Sequence, residues 1–428
     1  MVGYDRRSFL KVSGTALGGI AVGSTVTVAS SDERFLVDSS ETSQSEAEAA
    51  GLDVVHALPE IDLLVVEGAE SDVESLGATY AADSTYSLDL PAGRDSPTTD
   101  ESASDEPRYS PQWDKQAQNV PEAHEITRGE GTRVAVIDTG VAAGHPDLQH
   151  AVNEDLSKDF TGDGYGAAGP YGGYHGTHVA ANDRNEVGTV GSAPGTEIVD
   201  CRVFSPSENA SFADIVAAVV YSARIDCDAA NMSLGAYPVS RTANGQFYGK
   251  VLNRTTSYAK NQGTVVVTSA GNDAADLQHD GKFISLPNEA ANVLSVSATG
   301  PLGFNHGADG LESPTYTPAN YTNYGTNAID VAAPGGNYDP DFPTGWYYDM
   351  VLNTLAEPQF DADGDYVGAN YTYSWIAGTS MAAPQVAGAV ALVRSQNPGS
   401  TRGRSASASG TPPRCPRSSR RPTTALAN

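Results

Sequence analysis

The stretch Gly-Thr-Ser-Met-Ala-Ala-Pro at Gly378–Pro384 opens a run of small and apolar residues that continues to Val393. Glycine and small side chains allow a sharp backbone turn and the close approach of another main chain to Ser380. The spaced apolar positions that follow predict a buried helix, and a helix N-terminus beside Ser380 stabilises negative charge. Serines at helix N-termini are often simple caps, so the meaning of Ser380 depends on other motifs.

Two further segments supply the groups that activate a serine hydroxyl. Arg133–Gly140 is an apolar run that ends in Asp138 and a glycine, a pattern typical of a buried parallel strand with a carboxylate at its carboxyl end. His175 begins the run His-Gly-Thr-His-Val-Ala. Serine needs a neighbouring base to take its proton, and a carboxylate fixes the tautomer of that base. The three segments therefore predict a nucleophile, a base and an acid that orients the base.

The order Asp138, His175, Ser380 and the flanking motifs resemble the subtilisin-like serine peptidases, from about Trp113 to Pro398. This resemblance implies an α/β, three-layer fold with a mainly parallel sheet, and the hydrolysis of peptide bonds in proteins or peptides. In that family the first histidine of His-Gly-Thr-His is the base, which assigns the role to His175. His178 is interpreted as a buried packing residue, because the chain has no His-Glu-x-x-His zinc motif.

The resemblance also assigns the groups that hold the substrate. Asn272 ends a second apolar run that begins at Thr264, and it would stabilise the oxyanion beside the backbone N–H of Ser380. An ordinary turn asparagine is the alternative interpretation of Asn272. Extended peptide would pair with an exposed strand edge, and the predicted substrate-binding residues are Ser233, Leu234, Gly235, Ala270 and Gly271.

The first thirty residues resemble a twin-arginine export signal, with Arg6 and Arg7 before a stretch of small, moderately apolar residues at Gly14–Ala29. That stretch is only about half of the ~20 strongly apolar residues that a membrane span needs. The sequence therefore predicts an extracellular protein that is exported by the twin-arginine route and has no stable membrane anchor.

Three segments surround the predicted peptidase domain, which covers residues 111–398. Residues 33–90 alternate apolar strands with a polar helical piece and resemble the family's inhibitory propeptide, a small α+β domain whose end, near Tyr80–Leu90, would cross the substrate groove. A permanent accessory domain is the alternative. Residues 91–110 form an acidic linker. Residues 399–428 hold six arginines and no acidic residue, which indicates a possible frameshift, or else a basic tail for an acidic surface.

Two departures from the family pattern leave a second function open. First, the sequence predicts that the helix beginning at His175 stops early, which could displace the base. Second, the Arg-rich tail replaces the family's last helices. The alternative function is a catalytically impaired binding protein with the subtilisin fold.

Charge bears on where the protein works. The net charge is −28, with six lysines against 53 acidic residues spread along the chain. High salt screens repulsion between such charges, with a Debye length of ~3 Å at 1 M, so we expect a halophilic extracellular enzyme. The sign of the charge argues against a nucleic-acid partner. Cys201 and Cys227 lie in or beside apolar runs and are predicted to be buried small hydrophobic residues.

No cofactor is expected for the chemistry, but structural calcium is possible. Asp147 and Asn185 resemble residues of the family's high-affinity calcium site. Asp361–Asp365 places three carboxylates at alternate positions around a glycine, as oxygen-rich calcium loops do. A solvated acidic loop explains the second segment equally well.

Overall fold

The computed structural model describes residues 33–88, 94–95, 109, 111–180, 188–206, 209–241, 244–303 and 316–398. The predicted export signal, most of the acidic linker, Asn185 and the Arg-rich tail lie outside the described residues. None of the described helices is long and apolar enough to cross a membrane.

Residues 33–88, here called the N-terminal unit, form an antiparallel sheet with two short helices. The strands are β1 (Arg34–Asp38), β2 (Asp53–Leu58), β3 (Leu63–Glu67) and β4 (Tyr80–Ala82), in the order β2-β3-β1-β4, and the helices are α1 (Gln44–Ala49) and α2 (Glu70–Ser75). Ser43 and Glu46 form a capping box that starts α1. Alternation along β1 sends Phe35 and Val37 towards the helices, while Leu36 joins the core of the rest of the protein.

Residues 111–398, here called the C-terminal unit, are built on a parallel sheet. The seven strands of this sheet are β7 (Arg133–Asp138), β8 (Lys158–Asp159), β9 (Glu197–Arg202), β11 (Ala229–Met232), β13 (Val265–Ser269), β15 (Val293–Thr299) and β16 (Val331–Pro334). Across the sheet they lie in the order β16-β15-β13-β11-β7-β9-β8. All described pairings in it are parallel. The central strands are buried on both faces, which explains why they are continuous apolar runs.

Helices cover both faces of this sheet. Ala135 and Val266 face one core, with α6 (Phe212–Arg224) and α7 (Asn244–Gln262). Their neighbours Val134 and Val265 face the other core, with α8 (Thr379–Gln396). The result is the predicted three-layer α/β fold. Since parallel strands bring their carboxyl ends to one edge of the sheet, the segments after β7, β11 and β13 meet there.

The remaining elements lie around this frame. They are α3 (Trp113–Ala117), α4 (Val120–His124), α5 (His175–Val179), the pair β12 (Ala236–Ser240) and β14 (Phe283–Leu286), and the hairpin β17 (Val351–Phe360) with β18 (Tyr366–Ile376). Two short strands link distant segments: β5 (Thr85–Ser87) pairs with β10 (Asn209–Ser211), and β6 (Arg94–Asp95) pairs with β18. Single turns of 3-10 helix occur at Pro59–Ile61 and Trp346–Asp349.

Candidate active site

The carboxylate that ends β7 contacts the imidazole that begins α5. Asp138 and His175 are both fully buried, and His175 Nδ1 lies 2.8 Å from Asp138 Oδ1. The same oxygen accepts a hydrogen bond from the backbone N–H of Thr139 at 2.7 Å. This carboxylate therefore holds the proton on Nδ1, which leaves Nε2 as the basic atom of the ring.

Ser380 is the second residue of α8 and is 7% exposed. At that position its backbone N–H has no acceptor within the helix. Its hydroxyl donates to the carbonyl oxygen of Ser233 at 3.2 Å, and the Ser233 hydroxyl donates to the Ser380 carbonyl at 2.8 Å. The hydroxyl of Ser380 is thus directed at the segment after β11, and a rotation about its Cα–Cβ bond would redirect it.

Asn272 lies three residues after β13, close to the start of α8. Its side-chain oxygen accepts two hydrogen bonds from Thr379, from the backbone N–H and from the hydroxyl, each at 2.9 Å. Because the oxygen is held in this way, the amide nitrogen is left as a donor, and no described residue accepts from it. Asn272 is 8% exposed, so this donor is oriented before any ligand arrives.

The turn that carries Asn272 is organised by Asn323, which the sequence did not single out. Asn323 Oδ1 accepts from the backbone N–H groups of Asp273 and Ala275, at 2.9 and 3.0 Å. Its Nδ2 donates to the carbonyl of Ala270 at 3.0 Å. Gly271 has φ of +99°, and a Cβ there would lie 2.5 Å from Asn323 Nδ2. Asn323 stands in the run Asn-Tyr-Thr-Asn-Tyr, which carries no sequence signal for this role.

The predicted substrate-binding residues lie at the carboxyl edge of the sheet. Ser233 and Leu234 follow β11 and are buried, and Gly235 is partly exposed. Ala270 is buried and Gly271 is partly exposed after β13. The two runs belong to neighbouring strands, so they lie side by side next to Ser380.

His178 is completely buried. Its Nε2 donates to the carbonyl of Ser374 at 3.1 Å, and burial lowers the pKa of His178 to about 3. The ring is therefore neutral at physiological pH. This environment agrees with the prediction of a packing histidine.

The carboxylate of Asp147 accepts hydrogen bonds from described residues around it. Oδ1 accepts from the Tyr373 hydroxyl at 2.7 Å, and Oδ2 accepts from the backbone N–H and hydroxyl of Thr189 at 3.0 and 3.2 Å. Within the described parts of the chain, no group of three or more His, Cys, Asp or Glu side chains is placed to hold a metal ion. Calcium at Asp147 stays a prediction, because Asn185 lies outside the described residues.

The other acidic segment that was considered for calcium, Asp361–Asp365, forms a turn. Asp361 Oδ1 accepts from the backbone N–H groups of Asp363 and Asp365, at 3.0 and 2.9 Å, at the tip of the β17–β18 hairpin. The cysteines are also as expected: Cys201 and Cys227 are free and buried, and burial raises the pKa of Cys201 well above its ordinary value.

Comparison with known proteins gives a single family. The model of the subtilase family matches residues 129–408. A thermophilic serine proteinase from Bacillus sp. (strain AK1) is 32% identical over 279 residues, covering 64% of this chain and 55% of that protein. Subtilisin Savinase from Lederbergia lenta is 30% identical over 292 residues, covering 67% of this chain and 85% of the relative. The chain thus spans only about half the length of the first of these relatives.

Solved structures agree in fold. The epidermin leader peptide processing serine protease from Staphylococcus aureus aligns with a TM-score of 0.67 at 22% identity, covering 88% of this chain and 91% of that one. A protease from Pseudoalteromonas arctica aligns with a TM-score of 0.55 at 28% identity, covering 72% of this chain and 91% of that one.

Proposed function

The chain belongs to the subtilase family of serine endopeptidases, and we propose that it is an active, self-processing member of that family in which Ser380, His175 and Asp138 cleave peptide bonds. The observation that carries the proposal is the buried 2.8 Å contact between His175 Nδ1 and Asp138 Oδ1, in a chain whose shortened helix could have displaced His175. Protein or peptide substrates would bind in extended form beside Ser233–Gly235.

The geometry supports the following sequence of steps. Ser380 Oγ turns from the Ser233 carbonyl to His175 Nε2, gives up its proton and forms a bond to the substrate carbonyl carbon. Negative charge then develops on the substrate oxygen, where Asn272 Nδ2, the Ser380 N–H and the N-terminus of α8 stabilise it. His175 passes the proton to the leaving amine, whose bond to the carbon breaks. Water hydrolyses the acyl-serine by the reverse proton path.

The N-terminal unit is proposed to be an inhibitory propeptide. Its last described strand, β5, pairs with β10, with Tyr86 opposite Ala210. Tyr86 is buried and stacks on Phe212, with ring centroids 6.1 Å apart. Main-chain pairing of this kind is how an extended peptide adds to an exposed strand, so β5 lies where a substrate would lie.

The next described strand of the chain, β6, also pairs with the C-terminal unit. β6 pairs with β18, with Arg94 opposite Trp375, five residues before the nucleophile. The segments on both sides of the interval 89–93 are therefore paired with strands of the C-terminal unit, β5 with β10 and β6 with β18. We place the processing bond after Leu88 and before Arg94; the residues between them lie outside the described part of the chain.

The proposal also includes where the protein acts and the salt concentration that it requires. Export by the twin-arginine route, an extracellular site and dependence on high salt follow from the Arg-Arg motif, the net charge of −28 and the six lysines. Measuring the melting temperature of the Ser380→Ala protein from low to molar salt tests the last point. A rise supports a halophilic enzyme, and a flat or falling curve contradicts it.

Labelling with a serine-directed fluorophosphonate tests the catalytic assignment. The wild-type protein should be labelled at Ser380, and Ser380→Ala should stay unlabelled while remaining folded. Ser380→Ala should also remain at precursor mass, whereas the wild type acquires a new N-terminus between residues 89 and 94. A folded wild-type protein that takes up no label would instead support the impaired binding protein.

A further inference from the structure

Helix α5, which carries His175, is too short to support itself. It has five residues, and a helix leaves its first four N–H and last four C=O groups without internal partners. Side chains of neighbouring segments bond to its backbone at Gly176, Thr177 and His178. On the N-terminal side, the N–H of Gly176 donates to the hydroxyl of Thr139 at 2.8 Å, directly beside Asp138.

The C-terminal side is held by two adjacent side chains of β17. The hydroxyl of Thr354 donates to the carbonyl of Thr177 at 2.8 Å, and Nδ2 of Asn353 donates to the carbonyl of His178 at 2.8 Å. Thr354 is fully buried and Asn353 is 7% exposed. Among the described residues, Thr354 and Asn353 are the side chains that donate to these two carbonyls.

The opposite side of the helix is closed by backbone. A Cβ added to Gly176 would lie 2.6 Å from the carbonyl oxygen of Gly140, so α5 packs directly on the turn after β7. The helix is therefore enclosed between that turn and β17. Loss of the β17 donors would remove the described partners of two carbonyls of buried residues, a cost that the helix could relieve by moving away from Asp138 or admitting water.

We propose that Thr354 and Asn353 are positioning residues that hold α5, and through it His175, in register with Asp138. They act on the helix backbone and touch neither the substrate nor the reacting atoms. The inference rests on the proposed catalytic role of His175. It explains how a shortened helix retains the short contact between His175 and Asp138.

The test compares Thr354→Val, which keeps the shape and removes the donor, with Thr354→Ser, which keeps the donor. Thr255→Val is the matched control, because Thr255 is also fully buried and donates at 2.8 Å to a helix carbonyl, that of Val251 in α7. In active protein, Thr354→Val should lower kcat about tenfold with KM within about twofold, since small displacements of a catalytic group are costly. Thr354→Ser should restore kcat, and Thr255→Val should leave it unchanged.

A second measurement does not depend on activity. In the Ser380→Ala background, exchange of the His175 Nδ1 proton with water should be about tenfold faster in Thr354→Val and should be unchanged in Thr255→Val. If Thr354→Val fails to fold, Asn353→Ala provides the same readout. Equal exchange rates in all variants would overturn the positioning role. Failure of the wild type to react with fluorophosphonate would overturn the peptidase proposal alone, because proton exchange still tests the helix contact.

Discussion

Compared with the catalytic centre, the contact between the N-terminal and C-terminal units depends far more on charge. Around Asp138, His175 and Ser380, most bonds join side chains to backbone groups and are buried. Between the units, ion pairs accompany a shared apolar core that includes Leu36, Leu63 and Tyr86. The shortest ion pairs join Arg34 to Asp214 at 2.5 Å, Arg224 to Glu60 at 2.6 Å and Lys250 to Asp38 at 2.9 Å.

The charge of the N-terminal unit adds to this difference between the catalytic centre and the contact between the units. The N-terminal unit has thirteen Asp and Glu residues against a single Arg, giving it a net charge of −12. It docks on a protein that is itself strongly acidic, and Arg224, Lys250 and Arg254 of the C-terminal unit pair with its acids. Buried hydrogen bonds are little affected by salt and pH, whereas partly exposed ion pairs respond to both. Salt and pH should therefore act more on the ion pairs of this contact than on the buried hydrogen bonds of the centre.

Removing the charge of Asp138 tests the first half of the comparison and should have the largest effect. Asp138→Asn keeps the shape but no longer fixes the His175 tautomer, so kcat should fall about 10⁴-fold. The control is Asp200→Asn, another fully buried acid, which bonds to the N–H of Ala168. Peptide hydrolysis rates decide the matter; comparable losses in the two variants would mean that any buried charge near the sheet edge matters equally.

Removing the oriented donor of Asn272 should have the next largest effect. Asn272→Ala should lower kcat about 10²–10³-fold with little change in KM, because the donor acts on charge that develops only in the transition state. Steady-state kinetics on a peptide ester or amide give both constants. A change confined to KM would return Asn272 to the role of an ordinary turn residue.

At the contact between the units, Asp214 joins two side chains of the N-terminal unit. It pairs with Arg34 and with His56 Nε2 at 2.9 Å, and its side chain is 4% exposed. Asp214→Asn should weaken retention of the cleaved N-terminal unit by about 2 kcal/mol, or roughly thirtyfold. Lys250→Ala, whose side chain is 52% exposed, should cost at most about 1 kcal/mol. Dissociation rates of the processed complex rank the two variants, and the reverse order would contradict burial as the cause.

The smallest predicted effect concerns pH. Burial raises the pKa of Asp83 to about 6 even though Arg34 lies 3.3 Å away. The docked state therefore holds a proton that the free unit, with an ordinary carboxyl near pKa 4, has lost. Docking should accordingly weaken as pH rises from about 4 to about 6 and change little from Asp83 above that.

Replacing Asp83 isolates this contribution. Asp83→Asn should flatten the pH dependence of dissociation across that window by several-fold relative to the wild type. Dissociation of the wild type and of Asp83→Asn is measured at pH 4.5 and at pH 6.5 under otherwise identical conditions. An unchanged slope in Asp83→Asn would assign the dependence to other groups.

Much of the fold could be predicted because its signals are local. The apolar run at Arg133–Gly140 became β7, the run from Thr264 became β13, and the small-residue run after Gly378 became α8. A strand that is buried on both faces must be apolar throughout, and a buried helix must be apolar at spaced positions. The order of the three motifs then indicated the family.

The sequence by itself therefore determined which side chains could do the chemistry and which segments would carry them. Only the tertiary structure decided how they are oriented. Asn323 reaches the turn of Asn272 across 51 residues, and Thr354 reaches α5 across 177. Such pairs depend on strand order and on how helices pack against the sheet, and hydrogen-bond donors of this kind carry no local periodicity that a sequence could display.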